Sequence, residues 1–246
     1  MSLPFFVHDS AARLTVGEVV EVGGDEGRHA VVVRRMRVGE LLVLTDGAGG
    51  QATCTVTATD KSALSARVDQ VVVLGPEEPK VTVVQAIPKG DRADLAVETL
   101  TEVGVDVIVP WAAERCVSVW RGDRAEKQLA KWRSTSVAAA KQSRRAWFPE
   151  VTDVARTADV VGLLEQCSVP VVLHEAASGP IGDLPIPGRG TIVVVVGPEG
   201  GISPDELAAF SAVGAEPVRL GATVLRTSTA GVAAVAALLA RTRRWG

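Results

Sequence analysis

The chain of 246 residues contains no tyrosine, and its aromatic residues together make up only 4% of it. Its apolar runs, such as residues 71–74 and 192–196, are far too short to span a bilayer. The first sixteen residues include His8, Asp9 and Arg13 and do not have the basic start and apolar stretch of a signal peptide. We therefore expect a protein of the cytoplasm.

Cysteine and histidine are also scarce, with three residues of each. Cys54, Cys116 and Cys167 are odd in number and far apart, which argues against a disulfide framework. No histidine lies near a cysteine pair in the sequence, so the chain gives no indication of a structural zinc site. We expect the protein to use no metal.

Charge is distributed unevenly along the chain. The formal net charge is -3, yet residues 115–148 hold nine basic and two acidic residues, a local balance of +7. Such a basic stretch inside an acidic protein is typical of contact with a polyanion. A solvated helix face next to a basic loop would explain the same charges equally well.

The first part of the chain is rich in short stretches of Val and Thr separated by turn signals such as Gly23-Gly24 and Asp46-Gly47. Regular short strands of this kind predict a small β-barrel, with a helix at residues 26–36. The predicted strands are residues 14–22, 40–45, 53–59 and 63–73. Pro, Gly and Glu dominate the next segment, which predicts a linker. We therefore expect a barrel domain at residues 1–74 and a second domain at residues 80–246.

The remainder of the chain alternates between strand and helix patterns, which predicts an α/β fold with a mainly parallel sheet and crossover helices. The predicted strands are residues 81–86, 107–109, 169–173, 191–196 and 217–220. The predicted helices are residues 91–103, 125–143, 203–213 and 230–243. Residues 192–196 show no polar alternation, which favours a central strand covered on both faces.

A glycine-rich loop follows this central strand and leads into a well-marked helix start. Ser203 can cap the helix, Pro204 suits its first position and Glu206 can close a capping box. Ligands of open α/β sheets bind in such loops, at the carboxyl ends of strands. The loop lacks the lysine of a phosphate-binding loop, and Glu199 would repel a phosphate, so a ligand without phosphate such as S-adenosylmethionine fits better. Its sequence is Gly197-Pro198-Glu199-Gly200-Gly201.

A second candidate ligand segment covers residues 220–230. It opens with Leu220-Gly221 and ends in three hydroxyl residues, residues 227–229, which can cap a helix from Ala230. Arg226 lies between an apolar pair and these hydroxyls. A single arginine is usually a surface cation, but its place in this segment favours a functional role.

Together these segments resemble a known family. The glycine-rich loop, followed by Leu220-Gly221 and Val224-Leu225-Arg226-Thr227, looks like the paired signature of SPOUT methyltransferases. More narrowly, it resembles the family that methylates N3 of a uridine in 16S ribosomal RNA. Ser228 stands where that family usually has Glu. Further matches, which extend the resemblance over nearly the whole chain, are residues 34–40, 46–47, 100–105, 108–110, 114–115, 141–145, 149–151 and 173–175.

The resemblance implies a C-terminal SPOUT α/β domain with a deep trefoil knot and an N-terminal PUA-like β-barrel that helps to hold RNA. It implies a homodimer, with S-adenosylmethionine as the cofactor. Three loops would bind that cofactor, largely through backbone groups. Their residues are Leu173, His174, Glu175, Gly197, Pro198, Glu199, Gly200, Gly201, Leu220, Gly221, Val224, Leu225 and Thr227.

The implied reaction is methyl transfer to N3 of a uridine in the 16S ribosomal RNA of the small subunit. Arg226 is predicted to contact the target base or to stabilise its anion, and Glu199 is a second candidate for handling the N3 proton. His174 could be the base, although a single histidine is more often structural. Phosphate contacts are predicted for Arg34, Arg35, Arg37, Arg115, Lys141, Arg144 and Arg145.

Three alternatives remain open at this stage. The first is an RNA-binding protein without catalytic activity. The second is a SPOUT enzyme that acts on transfer RNA or on a ribose hydroxyl. The third is a nucleotide-dependent α/β enzyme, which the absence of a phosphate loop or dinucleotide fingerprint disfavours.

Overall fold

The chain folds into two compact units in the computed structural model. The first contains the described residues up to Pro76 together with Ala140–Phe148, and the second contains Glu77–Ala139 and Pro149–Gly246. Ala140–Phe148 therefore folds with the first unit, although the chain has already left that unit at the linker. The residues that the structure describes are 3–90, 92–118 and 120–246.

The first unit is built on a five-stranded mixed sheet in the order β1-β3-β4-β5-β2. Neighbouring strands are antiparallel except β1 and β3, which are parallel. No pairing joins β1 to β2 in the part of the chain that the structure describes, so the sheet is a half-barrel rather than a closed barrel. The strands are β1 (Phe5–Val7), β2 (Val19–Val22), β3 (Leu41–Thr45), β4 (Gly50–Thr59) and β5 (Leu64–Val73).

The strand and helix bounds in this unit differ by more than one residue from those predicted at three places, one of which is the start of β4 at Gly50 rather than at residue 53. The strand expected at residues 14–22 is confined to β2, because a 3₁₀ turn at Ala11–Arg13 and a loop precede it. The helix expected at residues 26–36 is α1 (Gly24–Arg28), which continues directly as a π-helix over His29–Val33. Strand β1 was not predicted, because three residues are too short for an alternating pattern to show.

Alternation along β4 places Ala52, Cys54 and Val56 in the core of the first unit, with Leu42 and Leu44 of β3. Burial, together with the nearby charge of Asp69, raises the pKa of the Cys54 thiol to about 12. Cys54 is therefore a core residue and not a nucleophile.

The second unit is built on a six-stranded sheet in the order β11-β9-β10-β6-β7-β8, and all its strand pairs are parallel. This confirms the predicted α/β fold. The strands are β6 (Lys80–Ala86), β7 (Val107–Trp111), β8 (Glu150–Val151), β9 (Val169–Leu173), β10 (Thr191–Val196) and β11 (Pro217–Val218). The helices are α2 (Arg92–Val103), α3 (Asp123–Gln142), α4 (Thr157–Gln166), α5 (Pro204–Ser211) and α6 (Thr227–Leu239).

Strand β10 is central and is covered on both faces, as its unbroken apolar run predicts. Val194 lies opposite Val83 of β6 and Val171 of β9, and it belongs to the core that α2 and α6 complete. Val195 points the other way and belongs to a second core with Phe210 of α5. Of the helices described, none is both long enough and apolar enough to cross a membrane.

Several predicted bounds in the second unit are wrong: β11 ends at Val218 rather than at residue 220, and α6 ends at Leu239 rather than at residue 243. Strand β7 does not end before Pro110 but runs on to Trp111, because the Pro110 carbonyl still accepts a hydrogen bond from the Ala155 N–H at 2.8 Å. Helix α6 begins at Thr227 rather than at residue 230, so the hydroxyl residues form its first turn. Its N-cap residue is Arg226, in an extended conformation.

Arg244, beyond the end of α6, ties the C-terminal segment to the start of the second unit. Its side chain is 3% exposed and forms an ion pair with Asp106 at 2.7 Å. It also donates to the carbonyls of Gly104 at 2.6 Å and Pro79 at 3.0 Å, and to the carboxylate of Glu77 at 3.0 Å. A buried guanidinium with this many acceptors is fully satisfied, which its burial requires.

We predict that Arg244→Ala lowers the free energy of unfolding by about 3 kcal/mol, because it leaves the mostly buried carboxylate of Asp106 without its cation. Urea denaturation followed by circular dichroism measures this. Arg243→Ala is the matched control, since the exposed neighbour should change stability by less than about 0.5 kcal/mol. Equal, small effects of the two changes would contradict the assigned role.

Candidate functional site

A cavity of about 460 Å³ lies at the carboxyl edge of the parallel sheet in the second unit. Three segments line it, one after each of the neighbouring strands β9, β10 and β11. The structure thus brings together all the residues predicted to bind the cofactor, with Arg226 beside them. These residues are Leu173, His174 and Glu175, then Gly197, Pro198, Glu199, Gly200 and Gly201, then Leu220, Gly221, Val224, Leu225 and Thr227.

Glycine is required at specific positions of the loop after β10. A Cβ at Gly197 would lie 2.7 Å from Cγ1 of Ile202, a side chain that is only 5% exposed. A Cβ at Gly200 would lie 3.0 Å from the backbone oxygen of Arg115. Gly201 has a φ of +74°, a conformation that L side chains rarely adopt. Because these positions carry no side chain, the backbone of the loop packs closely against Ile202 and Arg115. The opposite side of the loop faces the cavity.

The predicted capping box at the start of α5 is confirmed. The Ser203 hydroxyl accepts from the Glu206 N–H at 3.3 Å, and the Glu206 carboxylate accepts from the Ser203 N–H at 3.0 Å. The same carboxylate also accepts from the Glu114 N–H at 2.9 Å and the Thr157 hydroxyl at 3.1 Å. Glu206 thus joins the cavity loop to the segment after β7 and to the first residue of α4, a tertiary role that the capping pattern did not indicate.

Residues 221–226 are all exposed, including the apolar side chains of Val224 at 78% and Leu225 at 40%. Arg226 directly precedes α6, and no ion pair involves its guanidinium among the residues described. The guanidinium is therefore available to a ligand at the cavity, and the positive end of the α6 dipole lies next to it.

The two other candidate catalytic side chains are held by backbone groups. Glu199 accepts a hydrogen bond from the Lys89 N–H at 3.3 Å through Oε1. His174 accepts from the Ala176 N–H at 3.2 Å through Nδ1. The His174 ring therefore stabilises a local turn, which favours the structural interpretation of this residue.

Sequence reasoning missed two basic residues that line the cavity, Arg92 at the start of α2 and Arg219 after β11. Both are exposed, and no ion pair of theirs is found in the part of the chain described. The sequence position of Arg92, shortly after strand β6, could have indicated its place in the cavity. Strands β6 and β10 are parallel neighbours, so β6 ends at the same sheet edge as the loop after β10. With Arg226 they give the cavity three guanidinium groups.

Cys116, in the segment between β7 and α3, carries no activated thiol. Burial raises its pKa, and the charges of Glu199 and Glu206 raise it further. The site therefore offers no cysteine nucleophile at this position.

The residues predicted to contact phosphate lie in both units. In the first unit, Arg34, Arg35, Arg37 and Arg144 are exposed and Arg145 is half-buried. In the second unit, Arg115 is exposed and its Nη1 lies 3.5 Å from the Gly200 carbonyl oxygen, beside the cavity loop.

Lys141 does not fit its predicted role in phosphate contact. Its ammonium group forms an ion pair with Glu26, its side chain is only 13% exposed, and it lies over the ring of Phe6. A cation that is paired inside the first unit has little surface left for a phosphate. Lys141 instead anchors the segment Ala140–Phe148 within that unit.

Comparison with known proteins agrees with this geometry. Residues 76–239 match the family model described as an RNA methyltransferase domain. Residues 22–69 match the model described as an RNA methyltransferase PUA domain. A relative from Mycobacterium bovis, named ribosomal RNA small subunit methyltransferase E, is 48% identical over 93% of this chain and 89% of its own length.

The chain belongs to the ribosomal RNA small subunit methyltransferase E family. Solved structures support this membership. That of the family member from Neisseria gonorrhoeae, bound to S-adenosyl methionine, has a TM-score of 0.84 and 31% identity and covers 97% of each chain. That of a Legionella pneumophila methyltransferase with the cofactor SAM has a TM-score of 0.88 and 29% identity, covering 98% of this chain and 99% of that one. The resemblance drawn from the sequence is confirmed, and with it the methyltransferase class.

We predict that Gly197→Ala destabilises the second unit by about 1–3 kcal/mol, because the new methyl group must displace the buried Ile202 side chain. Thermal and urea unfolding measure the loss. Gly162→Ala is the control, since a Cβ there meets nothing within 4 Å and the residue lies inside α4. That change should be neutral or stabilising by up to about 1 kcal/mol. A neutral Gly197→Ala variant would show that the loop is not packed as described.

Proposed function

We propose that this protein uses S-adenosylmethionine to methylate N3 of a specific uridine in the 16S ribosomal RNA of the small subunit. The observation that carries the proposal is the cavity formed by the three segments after β9, β10 and β11, in a chain of this methyltransferase family. The relatives' names supply the class of RNA, and the sequence resemblance supplies the target atom.

The cavity fits S-adenosylmethionine. Its volume of about 460 Å³ lies in the usual range for sites that bind molecules of this size. The glycines after β10 allow backbone groups to approach a ligand closely, and Glu199 would repel the phosphates of a nucleotide. We assign the binding to backbone groups of Leu173, Gly197, Gly201, Leu220 and Leu225. When bound, the cofactor supplies a methyl group on a sulfonium.

Arg226 and Glu199 are proposed to prepare the uridine. Neutral N3 carries a proton and is a poor nucleophile, so the site must favour the anion. The Arg226 guanidinium, at the positive end of α6, would stabilise that anion. Glu199 would take the proton through Oε2, since Oε1 is bonded to Lys89.

The remaining parts of the proposal concern assembly. We propose that residues 1–74 act as the RNA-binding domain, together with the segment Ala140–Phe148 that folds with them, and that the rest of residues 80–246 acts as the methyltransferase domain, with a trefoil knot. The exposed arginines at positions 34, 35, 37, 115 and 144, together with Arg145, would contact RNA phosphates. The protein would act as a homodimer in the cytoplasm, where small subunits are assembled.

The decisive assay incubates the purified protein with S-adenosylmethionine and small ribosomal subunits that lack the modification, followed by mass spectrometry of the nucleosides. We expect 3-methyluridine with the wild type. Arg226→Ala should lower kcat by about 100-fold or more, because it removes the cation from the developing anion, while cofactor affinity is kept.

Arg189→Ala is the matched control for this assay, since Arg189 is exposed and lies outside the cavity. It should methylate at the wild-type rate. If the wild-type protein binds the cofactor but forms no 3-methyluridine, the proposed substrate is wrong. If it does not bind the cofactor, an RNA-binding protein without catalytic activity is the better description.

Arg92 is proposed to contact a phosphate beside the target uridine, because it is an exposed cation on the cavity wall. We predict that Arg92→Gln raises KM for the subunits. It should also reduce the slope of log K for RNA binding against log salt concentration by about 1. Calorimetry should show unchanged affinity for S-adenosylmethionine. Weaker cofactor binding with an unchanged salt slope would instead place Arg92 on the cofactor's carboxylate.

A further inference from the structure

Gln85 is a buried polar residue at the carboxyl end of the central strand β6. Its side chain is 1% exposed, and its neighbours across the sheet are Val196 of β10 and Pro110 of β7. The face of the strand on which it lies otherwise carries apolar side chains such as Val81 and Val83.

The Gln85 amide connects this strand to the start of α6. Its Nε2 donates to the Ala86 carbonyl at 3.0 Å and to the Thr227 carbonyl at 3.2 Å. Thr227 is the first residue of α6 and directly follows Arg226. The hydrogen bond therefore spans 142 residues of sequence and fixes the place where the cavity segment ends.

The other half of the amide has no such partner. Oε1 of Gln85 is buried and accepts no hydrogen bond from the residues that the structure describes. An unpaired buried acceptor costs free energy that an apolar side chain of similar volume would avoid. Stability of the core alone therefore does not account for a glutamine at this position. Its role must depend on the hydrogen bonds that its Nε2 group donates.

The cavity segment needs such an anchor, because its interior makes no hydrogen bonds of its own. Within the described chain, none is found for the backbone of residues 220–225. Upstream, Arg219 is fixed by its N–H to the Gly179 carbonyl at 2.8 Å and by its carbonyl to the Ile181 N–H at 3.0 Å. Downstream, the hydrogen bond from Gln85 to Thr227 has the same function. The two ends then determine the path of the exposed residues between them.

We propose that Gln85 is a positioning residue: it holds the first turn of α6, and through it Arg226 and the segment 220–225, against the cofactor loop after β10. It touches neither cofactor nor uridine. This inference rests on the proposed function of the cavity, although the anchoring itself can be measured without it.

The first test replaces Gln85 by Leu and, in a second variant of closer shape, by Met. Both should keep a melting temperature within a few degrees of the wild type or above it, because the unpaired Oε1 is removed. Affinity for S-adenosylmethionine and kcat should each fall on the order of tenfold, since small displacements of reacting groups cost this much or more. Hydrogen exchange should be faster than in the wild type in residues 229–232, whose amides are hydrogen-bonded in the first turns of α6.

Thr82→Val is the matched control. Thr82 is a buried polar residue on the opposite face of the same strand and is away from α6. It should leave cofactor affinity, kcat and exchange in residues 229–232 unchanged, even if stability shifts.

Gln85→Glu allows a measurement, the pH dependence of kcat, that would not change if Gln85 had only a structural role. The protonated carboxyl can donate one hydrogen bond to Thr227, whereas the ionised form cannot and would be repelled by both carbonyls. Burial raises the pKa of such a group. Its kcat relative to wild type should therefore rise as pH falls, while circular dichroism shows the same folded fraction.

Folded Leu or Met variants with wild-type affinity, kcat and exchange would overturn the proposal, as would a ratio of kcat values for Gln85→Glu that does not change with pH. A wild-type protein that binds no S-adenosylmethionine would disprove the proposed function instead. In that case the exchange measurement alone decides whether Gln85 anchors the segment.

Discussion

Parallel pairing of neighbouring strands is the constraint on which the site depends. Because β11, β9 and β10 are parallel and adjacent, the segments that follow them all emerge at one edge of the sheet. Segments more than forty residues apart along the chain, such as Leu173–Glu175 and 219–227, therefore line a single cavity. An antiparallel arrangement of the same strands would send alternate loops to opposite edges and leave no common wall.

Buried polar side chains hold the loops at this edge. Glu206 accepts hydrogen bonds from the segment after β7, from the segment after β10 and from the first residue of α4, and Gln85 donates to the first turn of α6. Each replaces backbone hydrogen bonds that irregular loops cannot make with one another. The result is a cavity whose glycine-rich side packs closely against Ile202 and Arg115 and whose Arg226 side is held by hydrogen bonds mainly at its two ends.

Short-range patterns predicted much of this arrangement. The bounds of β9 and β10 and the capping box at Ser203 and Glu206 follow from apolar runs and turn chemistry, which act within a few residues. Other bounds were wrong, one because a distant contact overrides local preference and one because the cap residue lies earlier than expected. Pro110 stays in a strand since its carbonyl is used by Ala155, and Thr227 joins α6 since Arg226 takes the cap position. Lys141 was predicted to contact phosphate, whereas the fold places Glu26 beside it.

By itself, the sequence determined the α/β class, the glycine-rich loop and the segment at residues 220–230, because these depend on residue types at fixed spacing, while the resemblance to the family supplied the third cavity segment, Leu173–Glu175. The tertiary structure alone decided that Arg92 and Arg219 share the cavity, that Lys141 is paired, and that Gln85 reaches Thr227. These last facts join residues more than a hundred positions apart, and only the packing of the sheets and helices sets the distances between their side chains.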